Sequence, residues 1–267
     1  SPDWVLVYGD TNSTLAGALA AAKLLLPLAH LEAGLRSYRR GMPEEINRVV
    51  ADHTSDLLLA PTERAVRNLA AEGLEDRAVL VGDVMADLCL NFQGHNREEG
   101  LFSDKPPYVV ATVHRPVNTD DKISLTLILE ALDRVQVQVL LVAHPRLSAM
   151  ARSYGIPLQR ANIKVVEPLT HAEMLSLMAS AVGIVTDSGG LQKEAFLLGV
   201  PCTTVRSETE WPETLDNGWN VLDPDARNLE VLASRSRPAE PPGNFFGNGD
   251  AAYRTLKAME VCLASAD

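Results

Sequence analysis

The chain has 267 residues, enough for two domains of ordinary size or one large one. Its hydrophobic content of 46% and its near-zero mean hydropathy are typical of a globular protein with full cores. The formal net charge of −11 argues against broad binding to nucleic acid or to an anionic membrane surface, although it leaves room for a small anionic ligand.

The first half of the chain alternates short apolar runs with helical patterns. Strands are predicted at 4–8, 28–31, 57–60 and 78–81, and helices at 12–26, 44–53 and 62–72. This alternation predicts a parallel sheet with helices on both faces. We assign residues 1–91 to a first lobe and the polar, turn-rich residues 92–107 to a linker. Because the first strand opens almost at Ser1, we expect the chain to begin part-way through a domain.

The second half repeats the pattern. Strands are predicted at 108–113, 137–143, 163–166, 182–186 and 201–205, and helices at 123–133, 171–181 and after Ser188. Residues 108–249 form the second lobe, and a last helix near 250–263 lies in the terminal segment 250–267. The fold class is therefore α/β, with two Rossmann-like lobes.

The turn Ser188-Gly189-Gly190 follows one of these apolar strands and opens a helix. Two residues without Cβ let a ligand approach the backbone, and amides at a helix start favour an anion such as phosphate. Glu194, one turn further on, could accept hydrogen bonds from sugar hydroxyls beside that phosphate. The alternative is an ordinary strand–helix turn with Ser188 as the N-cap.

Several polar residues stand where ligands bind in open parallel sheets, at the carboxyl ends of the strands. They are Asp10, Glu32, His114, Arg115, His144, Ser188 and Arg206, and Glu44 opens the helix after the loop that follows Glu32. The first lobe thus supplies carboxylates suited to proton transfer, and the second supplies donors suited to an anion. Each has a plainer alternative: Asp10 as an N-cap, Glu44 as a first-turn acid, and His144 as a hydrogen-bonded loop residue. Glu32 is harder to explain this way, because a carboxylate at the end of an apolar strand is costly unless it is paired, with Arg36 and Arg48 as candidate partners, or functional.

Six ordered blocks carry a resemblance to a known family. They are Gly9-Asp10-Thr11, His30-Leu31-Glu32-Ala33-Gly34-Leu35-Arg36, Pro43-Glu44-Glu45-Ile46-Asn47-Arg48, Val113-His114-Arg115, Thr186 to Ala195, and Thr209-Glu210. From Asp3 to about residue 256 the chain resembles the non-hydrolysing UDP-N-acetylglucosamine 2-epimerases. The resemblance implies a two-lobed GT-B-like fold that binds a nucleotide sugar between its lobes, with the first lobe incomplete at its N-terminus.

The resemblance also implies a mechanism. A base removes the C2 proton while UDP leaves C1, and UDP then adds back to the bound alkene before C2 is reprotonated on the opposite face. Asp10, Glu32 and Glu44 match the family's acid/base carboxylates, and His114 matches a diphosphate ligand that we place in the catalytic set. The binding residues implied by the matching stretches are Arg115, His144, Ser188, Gly189, Gly190, Glu194, Arg206, Glu210 and Trp211. No metal or other cofactor is implied, and a cytoplasmic homodimer is expected.

One stretch departs from the common family pattern. Where that pattern reads Thr-Glu-Arg-Pro-Glu, this chain has Trp211 in place of the arginine. The variant looks like a branch that acts on UDP-2,3-diacetamido-2,3-dideoxyglucuronic acid. A uronate needs a cation, and we expect Arg39 or Arg40 to supply it, the alternative being that both are solvated or pair with acids such as Glu45.

Two other classes compete with an epimerase. A UDP-sugar glycosyltransferase of the same fold would share the Ser-Gly-Gly turn and Glu194 but would not need three carboxylates in the first lobe. A non-catalytic nucleotide-sugar binder would bind the sugar unchanged. The three cysteines (Cys89, Cys202 and Cys262) are far apart and form no CxxC pair, a pattern that indicates a reduced compartment and no structural metal.

Overall fold

Two compact units make up the protein: Ser1–Leu90 with Asn244–Asp267, and Asn91–Gly243. The computed structural model describes residues 2–95 and 106–264. Each unit is built on one parallel sheet with helices between its strands, which confirms the predicted α/β fold class.

The first unit has a four-stranded parallel sheet in the order β1-β2-β3-β4. Because every strand pair is parallel, all four carboxyl ends lie at one edge, with His30 in register between Val7 and Leu58. The bounds are β1 Val5–Tyr8, α1 Asn12–Lys23, β2 Leu28–Leu31, α2 Pro43–Thr54, β3 Leu57–Ala60, α3 Glu63–Ala71, β4 Ala78–Leu80 and α4 Val84–His95, with a short 3₁₀ turn at Glu75–Arg77.

Strands β2 and β3 are buried at every position, as expected for strands covered on both faces. On one face Val7 and Leu28 pack with alanines of α1 and α2. On the other, Leu31 and Leu59 lie in a separate cluster. The sheet therefore has a core on each side, and its polar residues collect at the carboxyl edge.

The second unit has a six-stranded parallel sheet in the order β10-β9-β8-β5-β6-β7. The chain builds outward from β5 in one direction and then from β8 in the other, so the order reverses between β5 and β8. Ligands of doubly wound folds bind at such a switch point. The bounds are β5 Tyr108–Thr112, α5 Pro116–Thr119, α6 Lys122–Asp133, β6 Gln138–Val142, α7 Pro145–Tyr154, β7 Ile163–Val166, α8 His171–Ala179, β8 Gly183–Thr186, α9 Gly189–Leu198, β9 Cys202–Thr204, a 3₁₀ segment Pro212–Gly218, β10 Asn220–Leu222 and α10 Leu229–Leu232.

The last helix, α11 (Ala251–Ala264), belongs to the first unit. The Asp87 carboxylate accepts the Ala251 and Ala252 N–H groups at 3.0 and 2.8 Å, which satisfies two amides at the start of α11. The Trp4 indole donates to the Met259 carbonyl at 3.2 Å. The C-terminal segment is thereby hydrogen-bonded both to α4 and to the residue just before β1.

The predicted elements differ from the observed ones mainly at their ends. Helix α1 stops at Lys23 rather than at residue 26, and α8 stops at Ala179 rather than at 181. The expected linker 92–107 overlaps α4 through His95, so its first four residues are helical, while 96–105 lie outside the described residues. The sequence patterns did not predict α4, α7 or β10.

Candidate active site

The switch point of the second unit is held together by one buried carboxylate, Asp187, just after β8. It accepts the backbone N–H groups of His114 and Arg115, at 3.0 and 2.9 Å, and the Asn118 side-chain amide at 3.0 Å. Its other oxygen lies 3.2 Å from Nδ1 of His114. Asp187 therefore fixes the turn after β5 against the turn after β8, and it orients the His114 ring.

His114 and His144 come from the ends of neighbouring strands, and their ring centroids are 5.1 Å apart. Burial lowers the pKa of His114; the Asp187 charge opposes this, while the charges of His144, Arg115 and Arg206 add to it. His144 Nδ1 accepts the Arg146 N–H at 3.1 Å, so in neutral His144 the proton sits on Nε2. In that tautomer Nε2 of His144 is a hydrogen-bond donor.

Helix α9 opens with the Ser-Gly-Gly turn. Ser188 occupies the N-cap position, yet its side chain makes no capping hydrogen bond. A Cβ built on Gly189 would meet its nearest atom, Oε2 of Glu210, at 3.6 Å, and one on Gly190 would meet Ser188 Oγ at 3.9 Å. These are ordinary contact distances, so packing within the chain tolerates a methyl at both positions. Glycine at these two positions leaves room for a ligand to approach the amides.

A bidentate ion pair lies beside this turn. Arg206 donates to both Glu210 oxygens at 2.8 and 3.0 Å, and Arg115 lies 3.5 Å from the same carboxylate. Burial opposes ionisation of Glu210, but the Arg206 hydrogen bonds and charge and the Arg115 charge outweigh it and hold its pKa below the usual value. Next in sequence, the buried Trp211 ring lies 4.0 Å from the Lys193 ammonium.

Glu194 is buried in α9 and has an unusual hydrogen-bonding state. Its Oε1 lies 2.9 Å from Nε2 of His171, at the start of α8. Its Oε2 is buried with no hydrogen-bond partner. A buried carboxylate oxygen without a partner is costly, and a ligand hydroxyl would satisfy it.

In the first unit, Asp10 follows β1 and pairs with Arg48 of α2. Asn47 donates to its backbone carbonyl at 2.9 Å. The alternative reading of Asp10 as an N-cap is wrong, because the Thr11 side chain caps α1. Asp10 is thus held by an ion pair at the carboxyl edge and remains partly exposed.

Glu32 directly follows β2 and has a left-handed backbone conformation, φ +72°. A Cβ added to Gly9 would lie 3.1 Å from its Oε2, so this carboxylate lies directly beside the Gly9 backbone. The two arginines considered as partners for Glu32 also bind other acids: Arg36 binds Asp52 and Glu72, and Arg48 binds Asp10 and Glu45.

Glu44 and Glu45 have different surroundings, although they are adjacent in the first turn of α2. Glu44 is half-buried, whereas Glu45 is buried and accepts the Ser37 and Tyr38 N–H groups at 2.8 and 2.9 Å. The hydrogen bonds of Glu45 therefore hold the basic loop that follows Glu32 in place. Glu44 lies beside it at the start of the helix and is partly exposed.

Sequence reasoning did not single out Asp187, His171 or Glu45 as part of the site. Asp187 stands inside the quoted Thr-Asp-Ser-Gly-Gly stretch, and its position directly after a buried strand was the available signal. No sequence signal pointed to His171, because its partner Glu194 is 23 residues away on another helix. Neither a cluster of acids, histidines and cysteines able to hold a metal nor a helix long and apolar enough to cross a membrane occurs within 2–95 and 106–264.

The fold and the two sets of polar residues define a class, the two-lobed α/β proteins that bind nucleotide sugars. A family model described as UDP-N-acetylglucosamine 2-epimerase matches residues 1–260. The chain belongs to this family, as the six motif blocks predicted.

Known relatives agree with this assignment. The chain is 45% identical to the UDP-2,3-diacetamido-2,3-dideoxy-D-glucuronate 2-epimerase of Pseudomonas aeruginosa, over 97% of this chain and 75% of the relative. It is 38% identical to the UDP-N-acetylglucosamine 2-epimerase of Methanocaldococcus jannaschii, over 97% and 75%. Among solved structures, that of the M. jannaschii enzyme in complex with UDP-GlcNAc and UDP superposes with a TM-score of 0.87 and 37% identity, over 97% of this chain and 76% of that one. The predicted GT-B-like architecture is confirmed by this match.

Proposed function

We propose that the protein interconverts UDP-N-acetylhexosamines epimeric at C2 without hydrolysing them. The observation that carries this proposal is the distribution of groups between the units. The second unit gathers imidazoles, guanidiniums and helix-start amides at its switch point, whereas the first ends its strands in Asp10 and Glu32 and begins α2 with Glu44. Donors suit a departing diphosphate, and carboxylates suit a C–H acid.

In the proposed reaction a carboxylate from the set Asp10, Glu32 and Glu44 takes the proton from C2. The C2–H electrons form the C1–C2 double bond, and the C1–O bond breaks with its electron pair leaving on UDP. Re-addition of UDP to C1 and protonation of C2 from the opposite face then complete the epimerisation. The substrate's own UDP is conserved, so no acceptor is consumed.

The donor set of the second unit is proposed to hold the nucleotide. The amides of the Ser188-Gly189-Gly190 turn and the His114 ring bind the diphosphate, with Arg115, His144 and Arg206 near it. Glu194 accepts a hydrogen bond from a ribose hydroxyl on Oε2, since that oxygen has no hydrogen-bond partner within residues 2–95 and 106–264. Glu210 and Trp211 also belong to the proposed nucleotide site, where the Glu210 carboxylate orients Arg115 and Arg206.

The test is incubation with a UDP-sugar alone in deuterated water. An epimerase incorporates deuterium at C2 and forms the C2 epimer without any acceptor, whereas a glycosyltransferase or a passive binder leaves C2 protonated. Asp10→Asn and Glu32→Gln are expected to stop C2 exchange while UDP still binds. Wild-type exchange in either variant would remove that residue from the acid/base set.

A second substrate is favoured by Trp211 and by the P. aeruginosa relative, which is named for the diacetamido-uronate. Of the two proposed uronate cations, Arg40 lines a pocket of about 330 Å³ that also contains Tyr38 and Glu45. Arg40→Ala and Arg39→Ala should then impair turnover of the uronate far more than that of UDP-N-acetylglucosamine. Equal losses on both sugars would exclude this role.

We also propose that the protein is a cytoplasmic homodimer in polysaccharide biosynthesis. Its three cysteines are not joined in a disulfide, which supports a reduced compartment. Sedimentation velocity of the full chain tests the dimer, and a concentration-independent monomer would rule it out.

A further inference from the structure

A closed ring of hydrogen bonds starts and ends at the backbone of Trp211. The Trp211 N–H donates to Thr209 Oγ1 at 3.0 Å, and the Thr209 hydroxyl donates to Oε1 of Gln192 at 2.6 Å. From the other side, Asn220 Nδ2 donates to the same Oε1 at 3.2 Å and to Thr214 Oγ1 at 3.0 Å. The Thr214 hydroxyl closes the ring by donating to the Trp211 carbonyl at 2.7 Å. Gln192 of α9 is thereby linked to both the N–H and the carbonyl of one residue.

The direction of each hydrogen bond follows from the Trp211 carbonyl. A carbonyl oxygen only accepts, so the single Thr214 hydroxyl proton lies toward Trp211. Thr214 Oγ1 must then accept from Asn220, and the amide nitrogen of Asn220 faces it. The same nitrogen lies within hydrogen-bond distance of Gln192, which must therefore present its oxygen. The neighbours of Gln192 thus fix which end of its amide belongs to the ring.

This orientation leaves the other end of the Gln192 amide unsatisfied. The Gln192 residue is 0% exposed, and its Nε2 has no hydrogen-bond partner within residues 2–95 and 106–264. An unpaired buried donor is costly. A leucine would fill a similar volume without that cost, so it is the oxygen end that accounts for a glutamine at this position.

The segment held by the ring carries Glu210, between Thr209 and Trp211. The Glu210 carboxylate accepts two hydrogen bonds from Arg206, at 2.8 and 3.0 Å, and lies 3.5 Å from Arg115. A bidentate pair of this kind depends on the position and plane of the carboxylate. The Trp211 N–H belongs to the peptide that joins Glu210 to Trp211, so the ring fixes the backbone from which the carboxylate extends.

We propose that Gln192 is a positioning residue, which holds the segment 209–211 through Thr209 and Asn220 so that Glu210 meets Arg206 and Arg115. Gln192 itself touches no ligand in this scheme. Its hold on the segment is a property of the chain alone, whereas the effect on UDP rests on the proposed function. Without that hold, Glu210 would no longer direct the two guanidiniums at the switch point.

The hold on the segment is tested without any ligand, by hydrogen exchange of the Trp211 amide in the full chain. Thr209→Val keeps the shape of the side chain but removes the hydroxyl, so the Trp211 N–H loses this acceptor. Gln192→Leu leaves the hydroxyl but removes the oxygen that orients it. We expect both variants to speed exchange at Trp211 by about tenfold or more, and Thr209→Ser, which keeps the hydroxyl, to stay within about twofold of the wild type. Unchanged exchange in either variant, or an equal acceleration throughout β8, would overturn the proposal.

The effect on the proposed nucleotide site is tested by titration calorimetry with UDP. Gln192→Leu and Thr209→Val should each weaken binding by about 3- to 10-fold, because Glu210 then orients Arg206 less well. The double variant should bind no more weakly than the weaker of the two single variants, since both changes break the same ring. Thr209→Ser should bind UDP within about twofold of the wild type. Losses that multiply in the double variant would show that the two residues act separately and would contradict the proposal.

Thr126→Val is the matched control, because it removes a hydroxyl of the same unit that donates within α6, to the Lys122 carbonyl at 2.8 Å. It should leave Trp211 exchange and UDP affinity as in the wild type, and a loss equal to that of Thr209→Val would contradict the proposal. If Gln192→Leu does not fold, Thr209→Val and Thr209→Ser still decide the matter, because Thr209 is only partly buried. If the wild type binds no UDP, the proposed function fails, while Trp211 exchange still decides whether the ring holds the segment.

Discussion

Glu194 combines deep burial with one oxygen that has no partner, a state that a folded protein keeps only if something fills it. His171 holds the other oxygen, so the free one points in a fixed direction. A ribose hydroxyl is the donor that we assign to it.

Glu194→Ala is expected to weaken UDP binding by about 1.5–3 kcal/mol, or about 10- to 150-fold, since a hydrogen bond to a charged acceptor is lost. Titration calorimetry measures this. Glu167→Ala removes an exposed acid of the same unit and should change nothing. Unchanged affinity in the Glu194 variant would remove it from the ribose site.

The lowered pKa of His114 predicts that the affinity for a UDP-sugar depends on pH. Burial lowers its pKa, so the free site holds the ring neutral near pH 7. A bound diphosphate would favour the charged ring and raise its pKa. Between the free and bound values, binding takes up a proton, and affinity therefore rises as pH falls through that window.

Calorimetry in buffers of different ionisation enthalpy measures the number of protons taken up when the ligand binds. A UDP-sugar is the ligand of choice, because its diphosphate diester has no proton of its own to gain near pH 7. We expect uptake of a fraction of a proton, lost in His114→Gln and kept in His53→Gln. No uptake in the wild type would mean that His114 does not face the diphosphate.

At the scale of the element, the start of α9 differs from those of α3 and α8. Thr62 caps α3 and Thr170 caps α8 through their side chains, whereas Ser188 makes no such bond. Ser188→Ala should therefore leave the free energy of unfolding within about 0.5 kcal/mol while UDP affinity falls by about 0.5–1.5 kcal/mol. Thr62→Ala should do the reverse, costing about 1 kcal/mol of stability with UDP binding intact. Urea unfolding measures the effect on stability, and calorimetry measures the effect on UDP affinity. A large loss of stability for Ser188→Ala would contradict the idea that the Ser188 hydroxyl binds the ligand rather than capping α9.

The turn after β2 requires glycine at position 34. Gly34 has φ +83°, and a Cβ there would lie 2.4 Å from the Ala65 carbonyl oxygen of α3. Gly34→Ala is expected to destabilise the protein by about 2–4 kcal/mol, because backbone strain and overlap add. Gly41 has open space around it, so Gly41→Ala should stay within about 0.5 kcal/mol in the same urea titration. A small loss for Gly34→Ala would mean that α3 can shift.

The sequence predicted the elements that have strong apolar patterns and missed those that do not. Strands β2, β3 and β5 were identified because they are mostly apolar runs, and they are buried at every position. Helix α7 was missed although Pro145 at its start and Gly155 at its end are standard signals, because its polar interior obscured the period. For the candidate site, the sequence motifs named residues but did not predict how they pair. Which of Glu44 and Glu45 turns inward depends on the path of a loop, and the His171–Glu194 contact depends on two helices meeting.

At the scale of the molecule, the polar groups that we propose for the reaction are divided between two units, each with its own sheet and cores. The proposed nucleotide ligands belong to the second unit. Binding stabilises the unit that makes the contacts, by about 2.7 kcal/mol at 100 times the dissociation constant.

Hydrogen exchange with and without UDP should therefore show its greatest added protection in β5, β8 and α9. Smaller changes are expected in β2 and β3. The Glu194→Ala variant, at the same UDP concentration, should lose most of the added protection. Greater protection in the first unit than in the second would contradict the assignment of the nucleotide ligands.

The stacking of Lys193 on Trp211 has a practical consequence. Indole emission responds to a nearby charge, and this indole lies 4.0 Å from an ammonium, beside the Ser-Gly-Gly turn. Of the three tryptophans, Trp4 belongs to the first unit and Trp219 hydrogen-bonds to the Glu240 carbonyl at 3.0 Å. Trp211 therefore gives the protein a built-in fluorophore at the proposed nucleotide site, so the arrival of a ligand can be followed in real time without attaching a dye.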